Sequence, residues 1–146
     1  TPKPSSAASD VYKRQPEDVV IGKTMEGKSQ TKELNEIAND DLILDIGPKT
    51  IKKISNIIES SKTVLWNGPA GYFENPNFAI GSHEIAKKII KKNKNNLIYS
   101  VAGGGDTITF LNQINALDDF NFVSTAGGAF LEYLEGKELP GIKALN

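Results

Sequence analysis

From Asp18 onward, short apolar runs alternate with segments whose apolar residues recur at helical spacing. The runs occupy 19–21, 42–46, 63–66, 97–101 and 120–123, most of them rich in β-branched or aromatic residues with glycine close behind. That pattern predicts strands buried on both faces, as in parallel sheets. Between them, Ile51, Ile54, Ile57 and Ile58 mark one face of a helix opened by Pro48. Ile85, Ala86, Ile89 and Ile90 mark a second, Ile108, Leu111 and Ile114 a third, and Phe130, Leu131 and Leu134 a fourth closed by Gly136. Strand and helix in alternation imply an α/β fold, a mainly parallel sheet with helices on both faces and ligands outside the strands' carboxyl ends. The stretch 22–40 reads less clearly: 22–32 is polar and loop-like, and 33–37 suits a short strand or an irregular hairpin.

Residues 1–15 stand apart, with almost no bulky apolar residue and no sustained period, which predicts a disordered or foreign tail ahead of a folded unit at 16–146. The tail lacks the charged and apolar regions of a signal peptide. Its 146 residues give the chain room for one domain, and 38% apolar with 24% charged residues suits a globular chain. With 17 basic against 18 acidic side chains, bulk charge points to neither nucleic acid nor an anionic membrane as partner. No run approaches the roughly 20 apolar residues that span a bilayer. Cysteine is absent, which excludes disulfides and thiolate metal sites and makes a cytoplasmic location the default expectation.

Candidate chemistry gathers at three strand-to-glycine junctions. At 67–74, Gly68 and Gly71 let backbone approach a ligand, Pro69 stiffens the turn, Asn67 offers an amide donor to phosphate, and Glu74 offers acceptors to ribose hydroxyls. The plainer reading is an ordinary turn with a solvated Glu74; Trp66 and Phe73 are expected to pack rather than stack on a base. At 103–107, Gly103, Gly104 and Gly105 expose N–H groups at a helix start, a seat for phosphate. Asp106 would repel bare phosphate there, so a magnesium ion between them makes chemical sense. Alternatively Asp106 and Thr107 cap the helix. At 124–129, Gly127 and Gly128 open the last helix, where their N–H groups can stabilise a phosphoryl group in transfer, or simply allow tight helix–strand packing. A rival lies at 22–29, which satisfies the P-loop pattern with Lys28 and Ser29, although the polar residues after it make a poor helix. Lys87, Lys88, Lys91, Lys92 and Lys94 read as solvated cations near a helix end, and His83 has no partner motif.

The motifs Asn-Gly-Pro-x-Gly-x-Phe-Glu, Gly-Gly-Gly-Asp-Thr and Ser-Thr-x-Gly-Gly-Ala, in this order and spacing, resemble the carboxy-terminal part of the phosphoglycerate kinase family from about Pro16 to the end. The final segment from Leu134 to Leu145 resembles the family's carboxyl terminus. The resemblance implies the second half of a doubly wound, Rossmann-like nucleotide-binding domain, belonging to a two-domain, monomeric kinase several times this length. It implies phosphoryl transfer between 1,3-bisphosphoglycerate and Mg-ADP, giving 3-phosphoglycerate and Mg-ATP in glycolysis. It further assigns Glu74 to ribose, Asn67 and Pro69 to the nucleotide site, Asp106 to the Mg-nucleotide, and Gly104, Gly105 and Thr107 to the phosphates. Many family members carry glycine where Ala126 stands. The amino-terminal domain that binds the sugar acid has no counterpart here. The chain is therefore expected to be a fragment with no turnover alone, to expose a strand edge and to fray at 141–146. A non-catalytic nucleotide-binding module is the third reading.

Overall fold

The computed structural model describes residues 13–145, so the expected tail falls largely outside the described residues. Strand β1 (Asp18–Gly22) is buried along its whole length. It turns through 23–29 into β2 (Gln30–Glu33) and pairs on its other side with β3 (Leu42–Ile46). Both pairings are antiparallel, which corrects the expectation that 19–21 and 42–46 are parallel strands. Parallel neighbours need a crossover of about a dozen residues or more, usually a helix. Between β1 and β3 the only helical element is a single 3-10 turn at Leu34–Glu36. The unreadable stretch is thus a hairpin arm followed by that turn.

The second sheet is parallel throughout, in the order β4 (Thr63–Asn67), β5 (Tyr99–Gly103) and β6 (Phe122–Ser124). Helix α1 (Pro48–Ser60) leads into it, α2 (Ile80–Lys94) crosses from β4 to β5, and α3 (Gly105–Gln113) crosses from β5 to β6. Helix α4 (Gly127–Leu134) follows, and the short, fully exposed α5 (Pro140–Leu145) covers most of the segment expected to fray. Three of the four predicted helix faces, those of α1, α2 and α3, meet in one core, where Ile58, Ile85, Ile89, Phe110 and Leu111 pack with Trp66 and Phe73. The fourth, Phe130, Leu131 and Leu134 on α4, takes no part in it, and Leu134 is exposed. A smaller core of Val20, Leu44 and Phe78, with Tyr72 against it, joins the antiparallel sheet to the loop after β4. β4 and β6 are the edges of the parallel sheet, and an apolar groove beside β4 lies open between Ile54, Ile57, Val64 and Leu65.

Two strands start later than their apolar runs. Asn96 takes a left-handed φ of 55° and the Leu97 N–H turns back to the Lys92 carbonyl at 3.0 Å, so Leu97 is left exposed and β5 begins at Tyr99. Before β6, the turn Leu117–Asp119 sends Phe120 into the core instead of the sheet. Lys92 also departs from expectation. It is buried, and its ammonium donates to the carbonyls of Ile58 (3.0 Å), Glu59 and Ser61 (3.2 Å) at the end of α1. A cation there suits both the unsatisfied carbonyls and the helix dipole.

Candidate functional site

The parallel register sets Asn67 opposite Gly103 and Gly103 opposite Ser124. All three strands therefore end on one line, and the three glycine corners leave from a single rim. The corners also interlock. The Gly68 N–H donates to the Thr107 hydroxyl at 2.7 Å, and Thr107 is wholly buried. This hydroxyl couples the first corner to the second and does not cap α3. A Cβ on Gly127 would fall 2.4 Å from the Gly104 nitrogen and 2.7 Å from Asn67 Oδ1. The third corner thus rests directly on the other two, and Asn67 Oδ1 is their common neighbour. Gly68 and Gly104 have φ of 105° and 93°, which L side chains rarely adopt.

Helices α3 and α4 both begin at this rim, capped by Gly104 and Ala126 without any side-chain cap. Their first N–H groups therefore lack a side-chain partner, and two positive dipole ends lie side by side, a seat for phosphate. At Gly105 and Gly128 an added Cβ meets nothing within 4 Å, and neither has a positive φ. Nothing in the chain's own packing requires glycine at these two positions. What their bareness provides is open access to the backbone of both helix ends.

Asp106 stands exposed in the first turn of α3. One carboxylate beside a phosphate seat fits magnesium, which takes one or two carboxylates and completes its shell with waters and phosphate oxygens. Among the described residues no cluster of three or more histidine or acidic side chains forms a ready-made metal cage. Glu74 is also exposed, on a turn closed by the Asn75 N–H to the Tyr72 carbonyl at 3.2 Å. Phe73 is tucked inward edge-on to Phe110, at 5.5 Å between centroids, and Trp66 meets the same ring at 6.0 Å. Both aromatics pack in the core.

Beside the first corner the chain has a cleft that the sequence did not reveal. The Tyr72 N–H bonds to the Leu44 carbonyl at 2.7 Å, and a Cβ on Gly71 would fall 2.4 Å from that same oxygen. The loop therefore lies directly on β3 and leaves a cleft of about 340 Å³ lined by Val19, Leu44, Pro69, Ala70 and Tyr72. That volume is at the small end of ligand pockets.

Comparison with known proteins decides the family. Residues 5–137 match the profile described as phosphoglycerate kinase. The chain belongs to the phosphoglycerate kinase family. It is 46% identical over 132 residues to phosphoglycerate kinase of Zymomonas mobilis, covering 89% of this chain and 33% of that protein. Over 103 residues it is 54% identical to the enzyme of Orientia tsutsugamushi (strain Ikeda), covering 70% and 25%. The structure of phosphoglycerate kinase from Coxiella burnetii superposes with a TM-score of 0.83 at 37% identity, covering 97% of this chain and 36% of that one. The matched part of the chain thus spans a quarter to about a third of the length of these relatives, and the chain is a fragment beside them. In this phosphoglycerate kinase framework the P-loop look-alike at 22–29 is the turn of the β1–β2 hairpin, and no helix opens at it. Lys23 pairs with Asp40 at 2.8 Å and Asp41 at 2.7 Å, and Lys28 is exposed. His83 lies edge-on to Phe110 at 5.0 Å, outside the rim. Leu44 and Tyr72 escaped sequence reasoning because their contact depends on how the loop after β4 folds back on β3.

Proposed function

We propose that residues 16–146 supply the carboxy-terminal part of a phosphoglycerate kinase nucleotide site. In this reading adenine nucleotide lies along the rim. Its phosphates meet the N–H groups of Gly105 and of Gly127 and Gly128, its ribose hydroxyls meet Glu74, and its base enters the cleft of Leu44, Pro69 and Tyr72. Gly103 and Gly104 keep the backbone close to the phosphates, Asn67 holds the corners together, and the buried Thr107 contributes by fixing Gly68. Asp106 would hold magnesium, whose positive charge would offset the negative charge of the phosphates.

The reaction of the whole enzyme is transfer of a phosphoryl group between 1,3-bisphosphoglycerate and Mg-ADP, giving 3-phosphoglycerate and Mg-ATP, so that the acceptor in the reverse direction is a carboxyl group. An acyl phosphate transferring to ADP needs no general base on the nucleotide, and orientation with charge neutralisation can carry the step. The helix ends at Gly105 and Gly127 suit that role. The sugar acid is bound by the amino-terminal domain of the parent enzyme, a cytoplasmic monomer in this reading, so this chain binds nucleotide weakly and does not turn over alone.

The observation that carries the proposal is the contact of two uncapped helix ends across Gly104 and Gly127, with Asn67 Oδ1 against both. Amide NMR of the chain titrated with Mg-ADP tests it: the Gly105 and Gly128 signals should shift together. Unchanged signals at millimolar Mg-ADP would refute the nucleotide site. Turnover by the chain alone in a coupled assay would refute its dependence on the missing domain.

A further inference from the structure

The hairpin tip at 22–29 imitates a phosphate loop and has no part in the rim, yet it is joined to the segment that carries Glu74. Asn75 Nδ2 donates to the Met25 carbonyl at 2.7 Å, and Asn77 Nδ2 donates to the Gly27 carbonyl at 3.3 Å, each across 50 residues of sequence. Asn75 Oδ1 meanwhile accepts the Asn77 N–H at 3.0 Å and caps the 3-10 turn Pro76–Phe78. The tip is itself tight: the Gly27 N–H returns to the Thr24 carbonyl at 3.2 Å. Its base is fixed as well, since a Cβ on Gly22 would lie 2.8 Å from the ring of Phe78, which is fully buried.

Glu74 therefore sits on a turn held from two sides. Phe73 anchors it from within, and the hairpin holds it from without. We propose that Asn75 and Asn77 are positioning residues that brace the Glu74 turn against the Met25–Gly27 tip, and that this brace sets recognition of ribose hydroxyls. The inference rests on the reading of Glu74 given above. Ordering an exposed carboxylate before the ligand arrives removes an entropic cost from each hydrogen bond it makes. The brace touches no ligand and acts only through Glu74.

The substitution Asn75→Asp separates the brace from the cap, because it keeps the oxygen that accepts from Asn77 N–H and removes the donor to Met25. Asn77→Ala removes the second donor. Calorimetry with magnesium present would compare ADP with 2′,3′-dideoxy-ADP, which lacks the ribose hydroxyls. The wild-type chain should prefer ADP, Glu74→Gln should abolish the preference, and Asn75→Asp/Asn77→Ala should lower it roughly three- to tenfold. Affinity of the double variant for the dideoxy nucleotide should change much less, which a general loss of folding would not reproduce. Should the double variant not fold, Asn77→Ala alone should lower the preference about twofold. Full preference in the folded variants, with Glu74→Gln still impaired, would overturn the brace and leave the Glu74 reading intact. A wild-type chain that binds ADP without preference, or not at all, would overturn that reading and the brace together.

Discussion

Asp18 closes the first turn of α1 by gripping Thr50 from 32 residues away. Its Oδ1 accepts the Thr50 N–H at 2.9 Å and lies 2.7 Å from the Thr50 hydroxyl, while Oδ2 accepts the Lys49 N–H at 2.9 Å. Gly47 stands between them because a Cβ there would fall 2.3 Å from the carboxyl carbon. Asp45 has the same relation to α2, accepting the Gly81 N–H at 2.9 Å and its neighbour's Ile46 N–H at 2.8 Å. The two buried carboxylates titrate in opposite directions. Burial pushes the Asp18 carboxyl up, but the Lys49 N–H and the hydroxyl and N–H of Thr50 outweigh it and leave the group below its ordinary value. At Asp45 burial prevails over the bonds from Gly81, Ile46 and Ile80, and the group is raised.

The two acids should therefore shape the pH dependence of stability with opposite signs. A lowered folded-state value means that Asp18 stabilises above its ordinary pKa of 3.8 and loses that contribution as pH falls through the lowered value. A raised value means that the contribution of Asp45 declines as pH rises from 3.8 through the raised value. Asp18→Ala should cost about 1–3 kcal/mol at pH 7, and the difference from wild type should shrink in acid. Asp45→Asn should flatten the decline on the other side. Urea unfolding over a pH series reads both slopes.

Lys92 offers a second test, because its neighbours on the same helix carry the same charge. Lys92→Met keeps the stem and deletes the ammonium that serves three carbonyls at the end of α1. The loss should be about 2–3 kcal/mol. Lys91→Met and Lys94→Met change exposed side chains, of which Lys94 makes only a 3.6 Å pair with Asp119. These should stay within about 0.5 kcal/mol of wild type. Equal losses at all three positions would contradict the assignment of Lys92 as the cap of α1.

What the sequence disclosed follows from how local each feature is. The glycine corners were legible because strand, glycine and helix start follow one another along the chain, and because parallel neighbours bring their carboxyl ends to one edge. The core faces of α1, α2 and α3 were legible through their isoleucine and leucine spacing. The direction of β1 against β3 was not, since an apolar run such as 19–21 suits a buried strand of either orientation and only the intervening chain decides. Asp18, Asp45 and Lys92 were hidden for another reason. Each serves a helix that is not its own, and neither an acid beside or within an apolar run nor one lysine among several reveals its distant partner. Thr107 read as a cap from its place after Asp106 and as a phosphate ligand from the family resemblance, whereas its hydroxyl turned inward to Gly68.

That inward bond predicts its own outcome. Thr107→Val has nearly the same shape and removes the acceptor of the Gly68 N–H. Stability should drop by about 1 kcal/mol, and hydrogen exchange at the Gly68 amide should quicken more than at amides of the β4 interior. An unchanged Gly68 exchange rate would show that the corners hold without this bond.

The glycines of the rim separate into two kinds, and alanine substitution distinguishes them. Gly127→Ala places a Cβ 2.4 Å from the Gly104 nitrogen and 2.5 Å from its Cα. The Gly104 backbone has little room to yield, so the cost should be about 1–3 kcal/mol or more. Gly105→Ala and Gly128→Ala put the same methyl into open space within helix first turns. Removing glycine's backbone freedom there should leave the chain as stable as wild type or up to about 1 kcal/mol more stable. If these two positions admit phosphate, the same substitutions should weaken Mg-ADP binding while thermal unfolding stays level or rises. Gain of stability with loss of binding at Gly105 and Gly128, against loss of both at Gly127, is the pattern expected of a rim kept bare for a ligand. Undiminished nucleotide affinity in Gly105→Ala and Gly128→Ala would assign the phosphates elsewhere.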